Sequence, residues 1–370
     1  MFDHESAILP KNSPSYQSLS WAVSVHGALR VTFATVIAYD LNVRIQIWSG
    51  QNHATDLVFF VEKKMLETST RVESHGETLE QGYKACRKHV KKDLKSWDWL
   101  ISNVGGDNKK GVYALLYHFL QTSELLDLET PAGQPLPVAE EIQQDLSNAF
   151  AGEFATPELA ALVDTCNRYN VDPNGFYDSM EVANNWSTKR EFATFAELDK
   201  FCESFGGSMM ASLVPVIGVI KPDYEHAATA CGKAVMLTQI LANCVNDMKH
   251  NRNFLAKEDL ATCEVDISRL KMRRPSESFK HLVRLYTSRL EPMYHEAGHL
   301  VSTLDFDGKR TLTSLLATCW KMVSKMKLDP DCILSADGVL TKSDKFNLRS
   351  KHLLGMDTKL PFVPEDHGHH

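Results

Sequence analysis

Apolar positions along this chain recur at three- and four-residue steps over 78 to 103, 109 to 129, 137 to 149, 156 to 169, 195 to 218, 223 to 250, 276 to 304 and 309 to 326. That spacing predicts helices with one buried side. Turn signals separate them, among them Gly105-Gly106-Asp107-Asn108, the proline-rich TPAGQPLP at 130 to 137, and Asp172-Pro173-Asn174-Gly175. Few segments alternate apolar and polar residues, and no internal repeat stands out, so the pattern predicts an all-α protein with long helices. Residues 1–75 mix apolar stretches with polar breaks and read as an N-terminal helical extension. The main helical domain spans 76–330, and 331–370 reads as a C-terminal tail.

One helix differs from the rest. Over 231 to 256, CGKAVMLTQILANCVNDMKHNRNFLA, the apolar residues Met236, Leu237, Ile240, Leu241, Cys244 and Met248 cover most of the circumference. A polar stripe crosses them. Gln239, Asn243 and Asp247 are four apart, with Asn246 and His250 beside them, so all five project within roughly a third of the helix surface. Lys249 and Arg252 follow within a turn. Oxygen ligands followed by cations suit a hard metal ion holding a phosphate; the other reading is a solvated face.

A second polar site closes the segment GVYALLYHFLQTSELLDLE at 111 to 129. There Gln121, Glu124 and Asp127 fall at three-residue steps, close enough on one side for two carboxylates to reach a common ion. The apolar helix FCESFGGSMMASLVPVIGV at 201 to 219 carries Gly206, Gly207, Ser208 and Ala211. Glycine costs a helix about 1 kcal/mol relative to alanine, so a close approach is expected there, either of another helix or of a ligand.

Composition narrows the picture modestly. The chain has 370 residues, 43% hydrophobic and 24% charged, with ample material for a core. A net charge of −7 gives no reason to expect nucleic acid. The eight cysteines form no C-x-x-C pair and fit the reduced core of a cytoplasmic protein. The apolar stretch from Leu19 to Tyr39 is interrupted by His26 and Arg30, which fits neither a signal peptide nor a stable membrane span. The motif His295-Glu296-Ala297-Gly298-His299 satisfies the H-E-x-x-H pattern of zinc peptidases, but no third ligand accompanies it.

The order of these features from Cys86 to about Met326 resembles the squalene/phytoene synthase family. The resemblance rests on Ser96-Trp97, LYHFLQTSELLDLE at 116 to 129, TFAELDKFCESFGG at 194 to 207 with its continuation to Met210, and the stretch at 231 to 256. It implies a single large all-α bundle of the isoprenoid synthase type with a central active-site cavity, Mg2+ as cofactor and a prenyl diphosphate as substrate. It also implies metal ligation by Glu124, Asp127, Asn243, Asn246 and Asp247. Ser96, Gln121, Phe201, Phe205, Met236, Gln239, Lys249, Arg252 and Phe254 would line the substrate site, with Asn243, Asp247 and Glu124 carrying the chemistry.

The chain departs from the family at the acidic sites. The family's D-D-x-x-D is Glu124-Leu125-Leu126-Asp127-Leu128 here. Its N, D and D positions are Gln239, Asn243 and Asp247, and two tyrosine positions are Phe201 and Phe254. Fewer carboxylates favour ionising one diphosphate over two. The sequence expectation is therefore a terpene cyclase acting on one prenyl diphosphate, farnesyl diphosphate by preference, similar to the non-standard fungal humulene-forming cyclases. A two-substrate prenyltransferase and a non-catalytic scaffold are the alternatives. Sequence leaves the oligomeric state open.

Overall fold

The computed structural model describes residues 78–95, 97–126, 137–354, 356 and 360–363. The expected extension over 1–75, and Ser96 and Asp127 of the expected site, lie outside them. The described residues contain no strand, only an isolated antiparallel bridge between Val219 and Leu304.

In chain order the helices are α1 (78–93), α2 (Gly106–Leu125), α3 (Pro137–Phe150), α4 (Pro157–Tyr169), α5 (Asn174–Lys189), α6 (Phe195–Cys202), α7 (Ser208–Gly218) and α8 (Glu225–Lys249). Then follow α9 (Lys257–Thr262), α10 (Ile267–Lys271), α11 (Glu277–Val301), α12 (Phe306–Leu328) and α13 (Lys342–Leu353). Two 3-10 turns, Asp98–Asn103 and Pro330–Leu334, flank the bundle, and a π-helical turn, Glu203–Gly207, joins α6 to α7. Helix starts carry side-chain caps: Thr156, Thr194, Ser276 and Asp305 each accept a hydrogen bond from a backbone N–H three residues on.

Helix α8 is the hub. It packs on α11, α7, α12 and the π turn, while α2 packs on the far side of α7 and on α4 and α5. The close approach expected at the glycines is a helix crossing. A Cβ on Gly206 would lie 2.6 Å from the Gly232 carbonyl oxygen and 2.7 Å from the Met236 Cβ, and one on Gly232 would run into the Gly206 carbonyl. The stretches Phe195–Gly218 and Glu225–Lys249 are long and apolar enough to cross a membrane, yet more than half of each is buried inside the bundle. Their apolarity therefore serves the core.

Several elements depart from the pattern reading. The single helix expected over 78 to 103 breaks into α1 and a 3-10 turn. Helices α5, α9, α10 and α13 were not anticipated. On α5 the inward residues Phe176, Met180, Ala183 and Trp186 do keep helical spacing, but polar neighbours such as Glu181, Asn184 and Asn185 dilute it. The segment expected to be a tail contributes Ile333, Leu334, Val339 and Leu340 to the core. Its α13 packs on α12 and on Asp98–Asn103, where His352 bridges Ser102 (3.1 Å) and Ser314 (2.6 Å).

Candidate active site

The C-terminal end of α8 is shaped by a chain reversal. Asn251 adopts φ 57°, and the Arg252 amide then donates to the Asp247 carbonyl at 2.9 Å, the 6→1 bond of a Schellman ending. The reversal returns the Arg252 guanidinium onto the Asp247 carboxylate, Nη2 to Oδ1 at 2.9 Å. Asp247 has 15% of its side chain exposed. Burial pushes its carboxyl up to about 6, and the nearby His250 acts against that rise.

The loop after the reversal is tied from outside. The Lys257 amide donates to the Phe192 carbonyl (2.9 Å), and the Ala256 amide donates to the Tyr286 hydroxyl (3.0 Å). Asp259, 4% exposed, receives both amino groups of Arg289 at 2.6 and 2.9 Å, and that guanidinium lies 3.8 Å above the Phe195 ring. These contacts set Phe254 against the bundle. Its ring stacks on Trp186 at 4.1 Å and 11°, and lies 5.9 Å from Phe201. From there aromatic contacts run inward through Phe201–Phe205 (5.9 Å), Phe205–Phe119 (6.4 Å) and Phe119–Phe176 (5.2 Å). Faces of this kind stabilise a desolvated cation by about 0.5–2 kcal/mol each.

A cavity of about 500 Å³ opens beside this end of α8, lined in part by Arg190, Arg252, Lys257, Lys271, Glu191 and Met248. Lys257 pairs with Glu191 there and Arg252 with Asp247 beside it, which leaves a modest excess of positive charge to attract anions. Arg190 and Trp186 also connect it to the end of α2, since both donate to the Leu126 carbonyl, at 3.1 and 3.3 Å. The end of α2, which carries Glu124, is thereby tied to a residue that lines the cavity.

The remaining sequence candidates divide among different surroundings. Gln239 is half-buried against α12, its amide 3.8 Å from the Met322 sulfur. Asn246 is exposed and its Oδ1 accepts from Arg273 at 2.8 Å; Arg273 also donates to the Leu334 and Ser335 carbonyls. Asn243, Lys249 and Glu124 are exposed, and His250 folds back onto the Asn246 carbonyl at 2.8 Å. Gln121 donates to the Tyr117 hydroxyl at 2.9 Å. Phe201 and Phe205 are buried and Met236 half-buried against the crossing with Gly206. The polar stripe thus does not face one common space: Gln239 turns to α12, Asn246 to Arg273 and Asp247 to Arg252.

Among the described residues no three carboxylates, histidines or cysteines gather to hold a metal. The donor set near the end of α8 is Asp247 with the Asn243 amide. Oxygen donors of this kind suit Mg2+, which is commonly held by one or two carboxylates with the remaining positions filled by substrate phosphates and water. On α11, His295 and His299 are exposed, and Glu296 is engaged by His226 at 3.1 Å. That outer face offers no closed zinc site.

Sequence reasoning missed Trp186, Arg190, Lys257 and Lys271. Trp186 and Arg190 stand on or just after the polar-diluted helix α5, and Lys257 and Lys271 on the short helices α9 and α10. No spacing signal joins Trp186, Arg190 or Lys271 to the 231–256 stretch, and Lys257 stands just past its end.

Comparison with known proteins places this geometry. The fold is the all-α isoprenoid synthase fold: a dehydrosqualene synthase structure superposes with a TM-score of 0.66 at 18% identity, over 76% of this chain and 99% of that one. A squalene synthase from Alicyclobacillus acidocaldarius gives 0.61 at 17% identity, over 68% and 94%. The family model for squalene/phytoene synthase matches residues 104–323, and the chain belongs to that family. It is 24% identical over 243 residues to a phytoene synthase of Arthrospira platensis, covering 62% of this chain and 79% of that protein. It is 26% identical over 196 residues to a 15-cis-phytoene synthase of Synechococcus elongatus, covering 50% and 64%.

Proposed function

We propose that the protein is a prenyl diphosphate-dependent enzyme that joins two prenyl diphosphates, the prenyltransferase reading favoured by its likeness to phytoene synthases. This takes precedence over the single-substrate humulene-type cyclase expected from sequence. The observation that carries it is the cavity at the end of α8, lined by Arg190, Arg252, Lys257 and Lys271, with Arg252 paired to the half-buried Asp247. Such a wall suits a diphosphate.

Asp247, Asn243 and Glu124 are the residues that would hold Mg2+, which when bound neutralises diphosphate charge and aids its departure. Arg252 and Arg190 take up charge on the leaving group as the allylic C–O bond breaks and its electron pair goes to diphosphate. The aromatic run from Phe254 to Phe119 then faces the allylic cation and keeps water from quenching it.

A second reading has one specific observation behind it. Of the carboxylates that the family resemblance assigns to metal binding, the described residues include Glu124, exposed, and Asp247, with Asp127 outside them. So thin a set favours handling one diphosphate, and hence a cyclase.

Incubation with Mg2+ and, separately, geranyl, farnesyl and geranylgeranyl diphosphate, followed by mass spectrometry of a hexane extract, separates the two. A product of doubled carbon number supports the two-substrate reaction. A hydrocarbon of substrate mass less diphosphoric acid supports the cyclase, and no product from any substrate supports a non-catalytic relative.

A further inference from the structure

Glu124 stands on α2 and Asp247 on α8, so the distance between them depends on what lies between the two helix ends. One side chain touches both. The Trp186 indole N–H donates to the Leu126 carbonyl at 3.3 Å, at the C-terminal end of α2. Its ring lies against Phe254 at 4.1 Å and 11°, two residues beyond the Arg252 that pairs with Asp247.

Trp186 is held tightly enough to transmit position. It is 2% exposed, with the Phe192 ring 5.0 Å away and the Phe201 ring at 6.3 Å. An indole has few side-chain torsions, and in close packing it cannot turn without giving up one contact or the other. The end of α5 adds a second hold. Arg190, at φ 56°, closes that helix by donating its amide to the Trp186 carbonyl at 2.8 Å, and its guanidinium reaches the same Leu126 carbonyl at 3.1 Å. The last carbonyls of a helix lack intrahelical partners and carry the negative end of its dipole, so two donors, one of them charged, fix the place of the α2 end.

A buried tryptophan needs an acceptor, and many carbonyls would serve a core residue equally well. Here the acceptor caps the helix that carries Glu124, and the stacked ring belongs to the loop that carries Arg252. We propose that Trp186 is a positioning residue that sets the spacing between the α2 and α8 shares of the metal and diphosphate site, acting through Leu126 and Phe254. The inference rests on the prenyl diphosphate reading above. Ligands on two helices serve one ion only when both are in reach, and a displacement of about 1 Å can cost on the order of a hundredfold in rate.

The test measures how much Mg2+ tightens a non-ionisable thiolo-diphosphate analogue of farnesyl diphosphate, by calorimetric titration of the full chain in EDTA and in saturating Mg2+. Trp186→Phe keeps a ring against Phe254 and loses the donor to Leu126. Phe254→Leu keeps the donor and loses the stack, and serves should the first variant fail to fold. Tyr294→Phe is the control: it removes another buried hydrogen bond, to Thr238 at 2.8 Å, without touching either helix end. In wild type Mg2+ is expected to tighten the analogue by about tenfold or more. In Trp186→Phe and Phe254→Leu that gain is expected to fall to about twofold, with affinity in EDTA near wild type, and the double variant to be no worse than either single one because both break the same bridge. Tyr294→Phe is expected to keep the full gain. A wild-type gain retained in both bridge variants overturns the role of Trp186 and leaves the prenyl diphosphate reading standing. An equal loss in Tyr294→Phe also overturns it, since general loosening then explains the effect. No gain in the wild type itself removes the shared site and the inference with it.

Discussion

At the residue scale, two buried titratable groups pull stability in opposite directions with pH. His118 on α2 is 8% exposed, its Nε2 has no hydrogen-bond partner, and burial lowers it to about 4. Between about 4 and the ordinary value near 6.5 the unfolded chain binds the proton and the folded one does not. Stability is therefore lost as pH falls through that window, by about 3 kcal/mol at most. Asp247, raised to about 6, does the reverse: below about 6 the folded state holds its proton first, so stability recovers toward pH 4. Urea titrations at pH 7.5 and 4.5 separate them. His118→Leu is expected to flatten the acid loss seen in wild type, and Asp247→Asn to deepen it; parallel slopes in all three proteins would refute both assignments. Asp247→Asn is also expected to cut turnover at least a hundredfold at pH 7.5, with a melting temperature within a few degrees of wild type. How far these residues were legible follows from where their partners sit. Asp247 and Arg252 are five residues apart and could be read as one site. Trp186 and Arg190, which connect that site to Leu126, come from a distant helix and are linked to it only by folding.

At the element scale the α8 crossing and the loop after α8 carry different loads. At the crossing, backbone meets backbone, so an added methyl finds no flexible side chain to displace. Gly206→Ala is expected to destabilise by about 1–3 kcal/mol or more in urea unfolding, the range for overpacking. Gly105→Ala, with nothing within 4 Å of its Cβ, should change stability by less than about 0.5 kcal/mol. In the loop, Asp259→Asn leaves Arg289 facing a neutral amide. Arg289 is 26% exposed and the amide still accepts one hydrogen bond, so the loss is about 1–3 kcal/mol, and because that pair anchors the segment carrying Arg252 and Phe254, a raised KM should accompany it. Unchanged stability and KM would mean the loop is held by its backbone bonds to Phe192 and Tyr286 alone. The small residues predicted a close approach, but both a helix and a ligand satisfy that spacing. Only the position of Gly232 opposite Gly206 decides between them, and nothing local in sequence pairs the two. Helices with a continuous apolar stripe, such as α8 and α11, were legible for the same reason that α5 was not: periodicity fades when polar residues flank the inward ones.

At the scale of the whole molecule, the family fold brings two helix ends, those of α2 and α8, into one neighbourhood through α5, where the described residues supply few carboxylates. With one aspartate, one amide and an exposed glutamate among the described residues, metal and diphosphate should each bind weakly alone and strongly together, since each completes the other's ligands. Thermal unfolding tests that coupling directly. Mg2+ alone and a non-ionisable thiolo-diphosphate analogue of farnesyl diphosphate alone are expected to shift the melting temperature little, and the two together to stabilise by about 2.7 kcal/mol when the analogue stands at a hundred times its dissociation constant. EDTA should abolish that gain, and Asp247→Asn should reduce it to the level of the analogue alone. Additive shifts in the wild type would mean that metal and diphosphate do not share ligands, and no shift under any condition would leave the fold as a scaffold without the enzyme.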